Sequence, residues 1–516
     1  MNIFYEMASR LGFYKDVKNC LLKGFTPCAV TGVSNIHKAQ TAMALSRLSP
    51  CLVICDDEAS AIRMTGDINE MAGEQLACVF PAKDLNFAYM EGVSREYEHK
   101  RLEALSLITQ GKCKIIAASM EACLQGTIPQ DKLKEFSFEI KTGGELSLEE
   151  LTNKLLAGGY TRTDQVEGQA QFSVRGSIAD IFPVQESRPV RIELWGDEVD
   201  SISYFDPESQ RRTDPIDEIM VFPALEIIFP DTDDLVAKLE ALSKSVRGSR
   251  TDKIRTNISR DIETAQSGIT LTNLDKYYTV CYDKLTTVFD YFESGVCLVS
   301  EYTNCIEKGK AALAQLSEDM KLLYEDGILF RKLEGFYLDI PQAELKITQM
   351  KSVFLDSFMR SNNGVKFKKL INTDCRQTAA WGGNIINLEE ELKNLCSQGY
   401  CTVVLAGSEK TLPIINKDLN DAGISAEILT EDSEIIKGKV YLRTGCLSGG
   451  FDYPDIGCAA ITQMKAMSAK KRKSRHKAGE EIKSLSDIQT GDLVVHAMYG
   501  IGRFSGIKNI ETNGVT

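Results

Sequence analysis

A short segment near the amino terminus has the spacing of a phosphate-binding loop, with two of its important positions changed. Such a loop reads GxxxxGK[ST] between a strand and a helix; its backbone N–H groups and lysine bind phosphates, and its hydroxyl holds Mg²⁺. Gly32 and Lys38 fit this spacing, whereas His37 replaces the second glycine and Ala39 replaces the hydroxyl residue. We expect a degenerate loop without useful Mg-ATP binding; weak binding and a coincidental spacing are the alternatives.

Two other groups of polar residues could do chemistry, and each has a simpler structural explanation. The acidic run at 56–58 follows a predicted strand and could hold a metal. Acidic residues are also favoured where a helix begins, because of its N-terminal partial charge, and this interpretation is preferred here. The four histidines form no legible arrangement with serine and aspartate, and none of the 15 cysteines belongs to a CxxC pair. We therefore predict no catalytic residue, no metal site and no cofactor in this chain.

Length, composition and charge bound the class of protein. The 516 residues correspond to roughly three to five domains at ~100–200 residues each, and 43% hydrophobic residues exclude bulk disorder. No apolar run approaches the ~18 residues of a membrane span, which favours a cytoplasmic protein with free thiols and no membrane contact.

The net charge is −13, and residues 469–516 contain nine Lys/Arg against five Asp/Glu. The rest of the chain carries −17, and such a surface favours protein partners over broad contact with DNA.

The pattern of apolar residues predicts that an α/β domain positions the loop. Short apolar runs suited to buried parallel strands alternate with stretches of helical spacing over the first 125 residues. The predicted strands are 27–31, 51–55, 76–80 and 113–118, and the predicted helices are 37–48, 58–71 and 94–110.

A β-rich region follows, from about residue 160 to 230. Along 190–195 the apolar residues share one parity of a strand, and the other parity carries an arginine, a glutamate and a tryptophan. Strand geometry sends the two sets to opposite faces, so one face is core and the other displays polar groups. Gly196 and Asp197 predict a hairpin turn into a second strand over 199–205.

The remainder of the chain predicts further modules. Residues 214–372 have a mixed, largely helical pattern, and 373–465 follows the order of a βαβ unit, with no function assigned beyond a spacer. A basic run at 470–477 is interpreted as a linker, and strands over 492–495 and 502–507 as the start of a small barrel. Two hairpins are too few to close a barrel, so we expect a piece of a longer protein. The predicted domains are 1–128, 129–213, 214–372, 373–468 and 469–516.

Several motifs give the chain a resemblance to a known family. These are YTRTDQV at 160–166, FSVRGSIADIFP at 172–183, RIELWGDEVDSI at 191–202, and GDLVVH with YGIGRFSG at 491–506. In this order the chain resembles the bacterial transcription-repair coupling factors, including the module that they share with the excision-repair protein UvrB. The resemblance covers essentially the whole chain.

The resemblance implies an α/β multidomain fold. It would comprise a degenerate P-loop NTPase-like, UvrB-like α/β domain, a β-rich inserted domain, a second small α/β domain and the start of a Tudor/SH3-like β-barrel. The inserted domain would bind UvrA through the matching positions Arg162, Arg175, Phe182, Arg191 and Glu193. The alternative is that Arg175 and Arg191 only solubilise the outer face and that Phe182 is core.

The resemblance also implies the role of the chain. It would recruit UvrA to RNA polymerase stalled at DNA lesions, with polymerase β-subunit contacts around Ile507 and Ile510 weakened by the short barrel. ATP, Mg²⁺ and DNA would belong to motor domains that follow in the family, so the parent would be an ATP-hydrolysing DNA translocase while this chain is not an enzyme. Two alternatives stay open: a UvrB-like ATP-dependent DNA-damage-recognition enzyme, and a DNA-binding module that uses the basic linker.

Overall fold

The computed structural model describes residues 2–88, 94–248, 250–267, 271–358, 364–378, 380–430, 433–463, 493–496 and 500–503. The helices are α1 Ile3–Arg10, α2 Gly12–Lys23, α3 Asn35–Leu45, α4 Glu58–Ala72, α5 Glu96–Thr109, α6 Met120–Leu124, α7 Gln130–Glu135, α8 Leu148–Ala157, α9 Thr232–Ser245, α10 Thr251–Gln266, α11 Tyr278–Cys281, α12 Tyr302–Glu325, α13 Ile340–Gln349, α14 Ile385–Ser397 and α15 Leu412–Asp421. Short 3₁₀ helices cover Leu274–Tyr277, Val288–Phe292, Arg331–Leu333 and Pro454–Ile456.

The strands are β1 Cys28–Thr31, β2 Cys51–Cys55, β3 Ala77–Phe80, β4 Ile115–Ser119, β5 Phe138–Lys141, β6 Thr161–Arg162, β7 Gln171–Arg175, β8 Ile178–Ile181, β9 Val190–Trp195, β10 Glu198–Phe205, β11 Arg212–Ile216, β12 Glu218–Val221, β13 Val296–Ser300, β14 Lys351–Asp356, β15 Lys369–Asn372, β16 Cys401–Leu405, β17 Ala426–Ile428, β18 Val440–Arg443, β19 Phe451–Tyr453, β20 Cys458–Thr462, β21 Leu493–His496 and β22 Gly500–Arg503.

A seven-stranded parallel sheet forms the centre of the first domain, in the order β15-β1-β14-β13-β2-β4-β3. Its central strands β2, β4 and β13 are buried, almost continuously apolar runs because helices cover both faces, whereas the edge strand β15 is mostly exposed. Helices α1–α4 pack on one face, and α5, α6, α12 and α13 pack on the other. The four strands predicted from the sequence are present, within two residues of their predicted ends. The prediction for 214–372 was incomplete, because this stretch also supplies β13, β14 and β15.

The inserted region folds as a six-stranded sheet in the order β11-β10-β9-β8-β7-β6, antiparallel except for the β6–β7 pair. Strands β5 and β12 pair with each other where the chain enters and leaves this region. The predicted alternation along β9 is confirmed: its apolar residues are buried, and Trp195 on the other parity is exposed. The predicted boundary at residue 213 falls within β11; the domain limits otherwise remain predictions.

The second α/β unit has a five-stranded sheet in the order β17-β18-β16-β20-β19, parallel except for β19. It packs against the loop-bearing side of the first domain. Phe451 and Tyr453 share one apolar core with Phe4 and Val30. Arg443 donates hydrogen bonds to the carbonyl oxygens of Glu70 and Met71 at the end of α4. The unit is therefore a packed part of the domain assembly.

Strands β21 and β22 form an antiparallel hairpin, with Leu493 opposite Arg503. The first of the two strands predicted here agrees with β21, whereas the second lies earlier than 502–507. The basic run at 470–477, Ile507 and Ile510 lie outside the described residues. In the part of the chain that the structure describes, no helix combines the length and apolar character needed to cross a membrane.

Candidate docking face and candidate phosphate loop

The degenerate loop lies between β1 and α3, the strand–loop–helix context that its spacing predicted. Gly32 has a φ of +88°, and its N–H donates a hydrogen bond to the Asp356 carbonyl oxygen at 3.1 Å. A Cβ added at this position would lie 2.2 Å from the Thr373 carbonyl oxygen. The backbone therefore requires glycine here for a structural reason that involves no phosphate.

His37 is fully buried at the start of α3. Its Nδ1 accepts a hydrogen bond from the Ser34 N–H at 3.1 Å, which completes a capping box, and its ring lies 5.3 Å from the Tyr453 ring. Burial lowers the pKa of His37 to about 4. The neutral ring caps the helix and packs against the second α/β unit, which agrees with the structural interpretation of this histidine.

Lys38 has an internal counter-ion. Its buried Nζ donates to the Glu301 carboxylate at 2.6 Å, and the same oxygen accepts the Ser357 N–H at 2.8 Å and the Ser357 hydroxyl at 2.6 Å. Burial acts to raise the pKa of Glu301, but the bonds from Lys38 and Ser357 outweigh it, and the pKa is lowered. Ala39 is buried and offers no oxygen to a metal. Nothing in the sequence pattern identified Glu301 or Ser357 as partners of this lysine.

A cavity of about 250 Å³ opens beside Glu301 at the carboxyl end of the parallel strands. This edge is where open α/β sheets bind ligands. Apart from Met64, the lining residues are polar and of mixed charge: Asn35, Asp56, Ser60, Arg63, Asp67, Ser300, Glu301, Asn304 and Ser357. Within the described residues, no group of three or more His, Cys, Asp or Glu side chains is arranged to hold a metal ion.

Asp57, in the acidic run beside this cavity, caps a helix. Its side chain accepts a hydrogen bond from the Ser60 N–H at 2.8 Å, which caps α4. The interpretation of residues 56–58 as the start of a helix is confirmed.

Two of the five predicted docking residues lie together and exposed. Arg162 on β6 and Arg175 on β7 line an open concavity of about 760 Å³ at one edge of the six-stranded sheet, together with Thr163, Asp164 and Val174. The Arg175 Nε donates to the Asp164 carbonyl oxygen at 3.1 Å, which holds the guanidinium against the rim. The edge thus presents two guanidinium groups beside a concave surface.

The other three predicted residues are engaged within the sheet. Arg191 donates to both carboxylate oxygens of Asp180, at 2.7 and 2.8 Å, and its side chain is only 16% exposed. The hydrogen bonds that Arg191 donates to the Asp180 carboxylate raise the pKa of Arg191. Glu193 forms an ion pair with Arg212, and Phe182 is half-buried. These contacts favour a structural role for Arg191 over an open docking role.

Trp195 is a surface residue that the sequence placed correctly but that was not included among the docking residues. It is 83% exposed and lies on the parity of Arg191 and Glu193, immediately before the turn at Gly196, whose φ is +64°. Tryptophan is enriched at protein interfaces, whereas a single exposed apolar residue is also ordinary on a protein surface. The signal that could have identified it was its outward parity just before a two-residue turn.

Comparison with known proteins places this geometry in a family context. Residues 138–226, which hold β5 to β12, match the family described as "UvrB interaction domain", and residues 488–516 match the "CarD-like/TRCF RID domain". The "Transcription-repair-coupling factor" of Bacillus subtilis (strain 168) is 27% identical over 517 residues, covering 97% of this chain. The protein of the same name from Staphylococcus haemolyticus (strain JCSC1435) is 26% identical over 94% of this chain. Over nearly its whole length the chain is similar to proteins named transcription-repair-coupling factor.

The match covers nearly all of this chain but less than half of each coupling factor. The chain covers 44% of the length of the Bacillus relative, 42% of the Staphylococcus haemolyticus relative, and 43% of a Staphylococcus aureus (strain MRSA252) relative that is 24% identical. The chain therefore spans less than half the length of these curated coupling factors. Both matched domains occur in the order predicted from the sequence motifs.

Proposed function

We propose that this chain is the non-motor, amino-terminal part of a transcription-repair coupling factor and that its inserted sheet binds UvrA. The match of residues 138–226 to the UvrB interaction domain carries the proposal. The exposed Arg162 and Arg175 beside one concavity support it, because planar guanidinium groups suit hydrogen-bonded docking to another protein. In this role the chain recruits UvrA to RNA polymerase stalled at DNA lesions.

The double charge reversal Arg162→Glu with Arg175→Glu should weaken UvrA binding by about 100-fold, because both interface guanidinium groups become carboxylates. The measurement is the dissociation constant of the purified chain for immobilised UvrA. Arg191 is left unchanged, because it pairs with Asp180 on the neighbouring strand and its replacement would change the sheet as well as the surface.

The control is Lys112→Glu, a single charge reversal at an exposed position of the first domain. This variant should bind UvrA within about twofold of the parent chain. Circular dichroism confirms that all variants are folded. Undiminished UvrA binding by the double variant would refute the assigned surface.

The matched residues 488–516 support a second contact, with the RNA polymerase β subunit. Under this proposal they supply the first hairpin of a Tudor/SH3-like barrel, and Ile507 and Ile510 are its predicted contact residues. The same immobilisation experiment carries the test: removing residues 488–516 should reduce capture of the β subunit while UvrA binding is unchanged. Equal capture with and without this segment contradicts the assignment.

The alternative of a UvrB-like ATP-dependent enzyme is less well supported by the loop. Lys38 is bound to Glu301, and neither His37 nor Ala39 offers what Mg-ATP requires. We infer that the P-loop is degenerate and that this chain hydrolyses no ATP; ATP, Mg²⁺ and DNA would act on the motor domains of the parent translocase. Calorimetric titration with 1 mM Mg-ATP, a concentration on the order of weak nucleotide affinities, should give no binding heat. Saturable heat that is lost in Lys38→Met would favour the enzyme instead.

A further inference from the structure

Glu301 has a backbone conformation that points to more than a chance ion pair. It lies between β13 and α12 with φ +55° and ψ 62°, in the left-handed region, and only Ala170 and Gln210 share a positive φ among the described non-glycine residues. A residue with a Cβ is strained in this region, and such strain persists where surrounding contacts over-determine it. Here the contacts are those of the carboxylate, which turns back toward Lys38.

The partners of the carboxylate are those that a bound oxyanion would have. Lys38 occupies the lysine position of the loop, and the Ser357 N–H and hydroxyl come from the end of the neighbouring strand β14. Three donors therefore converge on one carboxylate oxygen, at 2.6, 2.8 and 2.6 Å. The group also borders the 250 Å³ cavity at the edge of the sheet where ligands bind.

We propose that Glu301 is a built-in anion that occupies the oxyanion position of this loop, and that removing its carboxylate exposes a binding site for a small oxyanion such as phosphate or acetate. The cavity beside it then joins the space left by the side chain, and the Lys38 charge becomes free to bind a ligand. This inference goes beyond the proposed UvrA docking and does not depend on it.

In the native chain, the Glu301 carboxylate connects the elements around the loop without a bound nucleotide. Through Glu301 the end of β13 is joined to α3 by Lys38 and to the end of β14 by Ser357. The neighbouring residue of α3, His37, in turn packs on Tyr453 of the second α/β unit. The built-in carboxylate thus fixes the arrangement that a bound anion would otherwise have to stabilise.

The test is anion rescue of the variant Glu301→Gly, in which glycine suits the left-handed backbone and the carboxylate is absent. In chloride buffer its melting temperature should fall by roughly 5 °C or more, because Lys38 is left buried without a partner. Acetate or inorganic phosphate at about 20 mM and matched ionic strength should restore at least half of that loss. Titration of the variant with phosphate should give a dissociation constant on the order of 1–10 mM.

Two matched proteins separate this effect from general stabilisation by salts. The parent chain, whose site is filled by Glu301, and the double variant Glu301→Gly with Lys38→Met, which lacks the cation, should each show less than about 1 °C of anion-specific response. A response of Glu301→Gly no larger than that of the double variant overturns the proposal, as does an unchanged melting temperature in chloride. If Glu301→Gly does not fold in chloride, its refolding yield is compared in phosphate: recovery supports the built-in anion, and failure to recover overturns it.

Discussion

Replacing Arg101 with methionine should lower the free energy of unfolding of the first domain by about 3–5 kcal/mol, the cost of removing one member of a buried ion pair. Arg101 is fully buried and donates to Glu226 at 2.8 Å, to the Gly126 carbonyl oxygen at 2.9 Å and to the Gln125 side chain at 3.1 Å. Methionine fills a similar volume but removes these three hydrogen bonds, and Glu226 then keeps only its contacts with Lys83 and Thr127. Denaturant unfolding followed by circular dichroism measures the loss.

The position of Glu226 connects this loss of stability to the six-stranded sheet. Glu226 lies where the chain returns from the inserted region, 1% exposed, and also contacts Lys83 at 2.7 Å. Burial acts to raise the pKa of Glu226, but the charges of Arg101 and Lys83 outweigh it, and the pKa is lowered. A carboxylate that loses Arg101 is poorly compensated, so the junction between the two sheets should loosen.

The control for Arg101→Met is Lys100→Met on the same helix. Lys100 is half-exposed and pairs with Glu96 across one turn at 2.8 Å. Such exposed pairs contribute at most about 0.5 kcal/mol, so this variant should unfold almost like the parent. Similar losses in the free energy of unfolding for the two variants would show that the buried network around Arg101 stabilises the domain no more than a surface ion pair does.

The local elements of the fold could be predicted from the sequence because their signals are local. The run Cys51–Cys55 is continuously apolar and forms the buried strand that it predicts. Val296–Ser300 has a similar run but was not recognised, although it pairs with β2. It begins at Val296, whereas β4, the preceding strand of this sheet along the chain, ends at Ser119, and no local pattern specifies which distant strand becomes its neighbour.

The candidate sites show the same division between local and distant information. The loop spacing located Lys38, but its partner Glu301 is 263 positions away and could not be inferred from spacing. The pairing of Arg191 with Asp180 could in principle have been predicted from the sequence. The two residues lie opposite each other on adjacent strands and share the outward parity. Parity predicts that a side chain faces outward; whether it meets a partner there depends on register.

Gly32→Ala should lower the free energy of unfolding by about 3–5 kcal/mol, from the left-handed backbone and from overpacking together. The φ of +88° disfavours any Cβ, and the added carbon would lie 2.2 Å from the Thr373 carbonyl oxygen. That oxygen belongs to the backbone just after β15 and cannot rotate away. Relief requires β1 and the segment after β15 to move apart, which disturbs the sheet at the loop.

Gly24→Ala separates the two contributions to this loss. Gly24 has a φ of +71°, and nothing lies within 4 Å of an added Cβ. It should therefore lose only the conformational part, about 1 kcal/mol, as judged by the same denaturant unfolding. Equal losses at the two glycines would mean that the Thr373 contact is relieved at no cost. A clearly larger loss at Gly32 would show that this glycine is required by the close approach of Thr373, so that its presence in the loop is no sign of retained nucleotide chemistry.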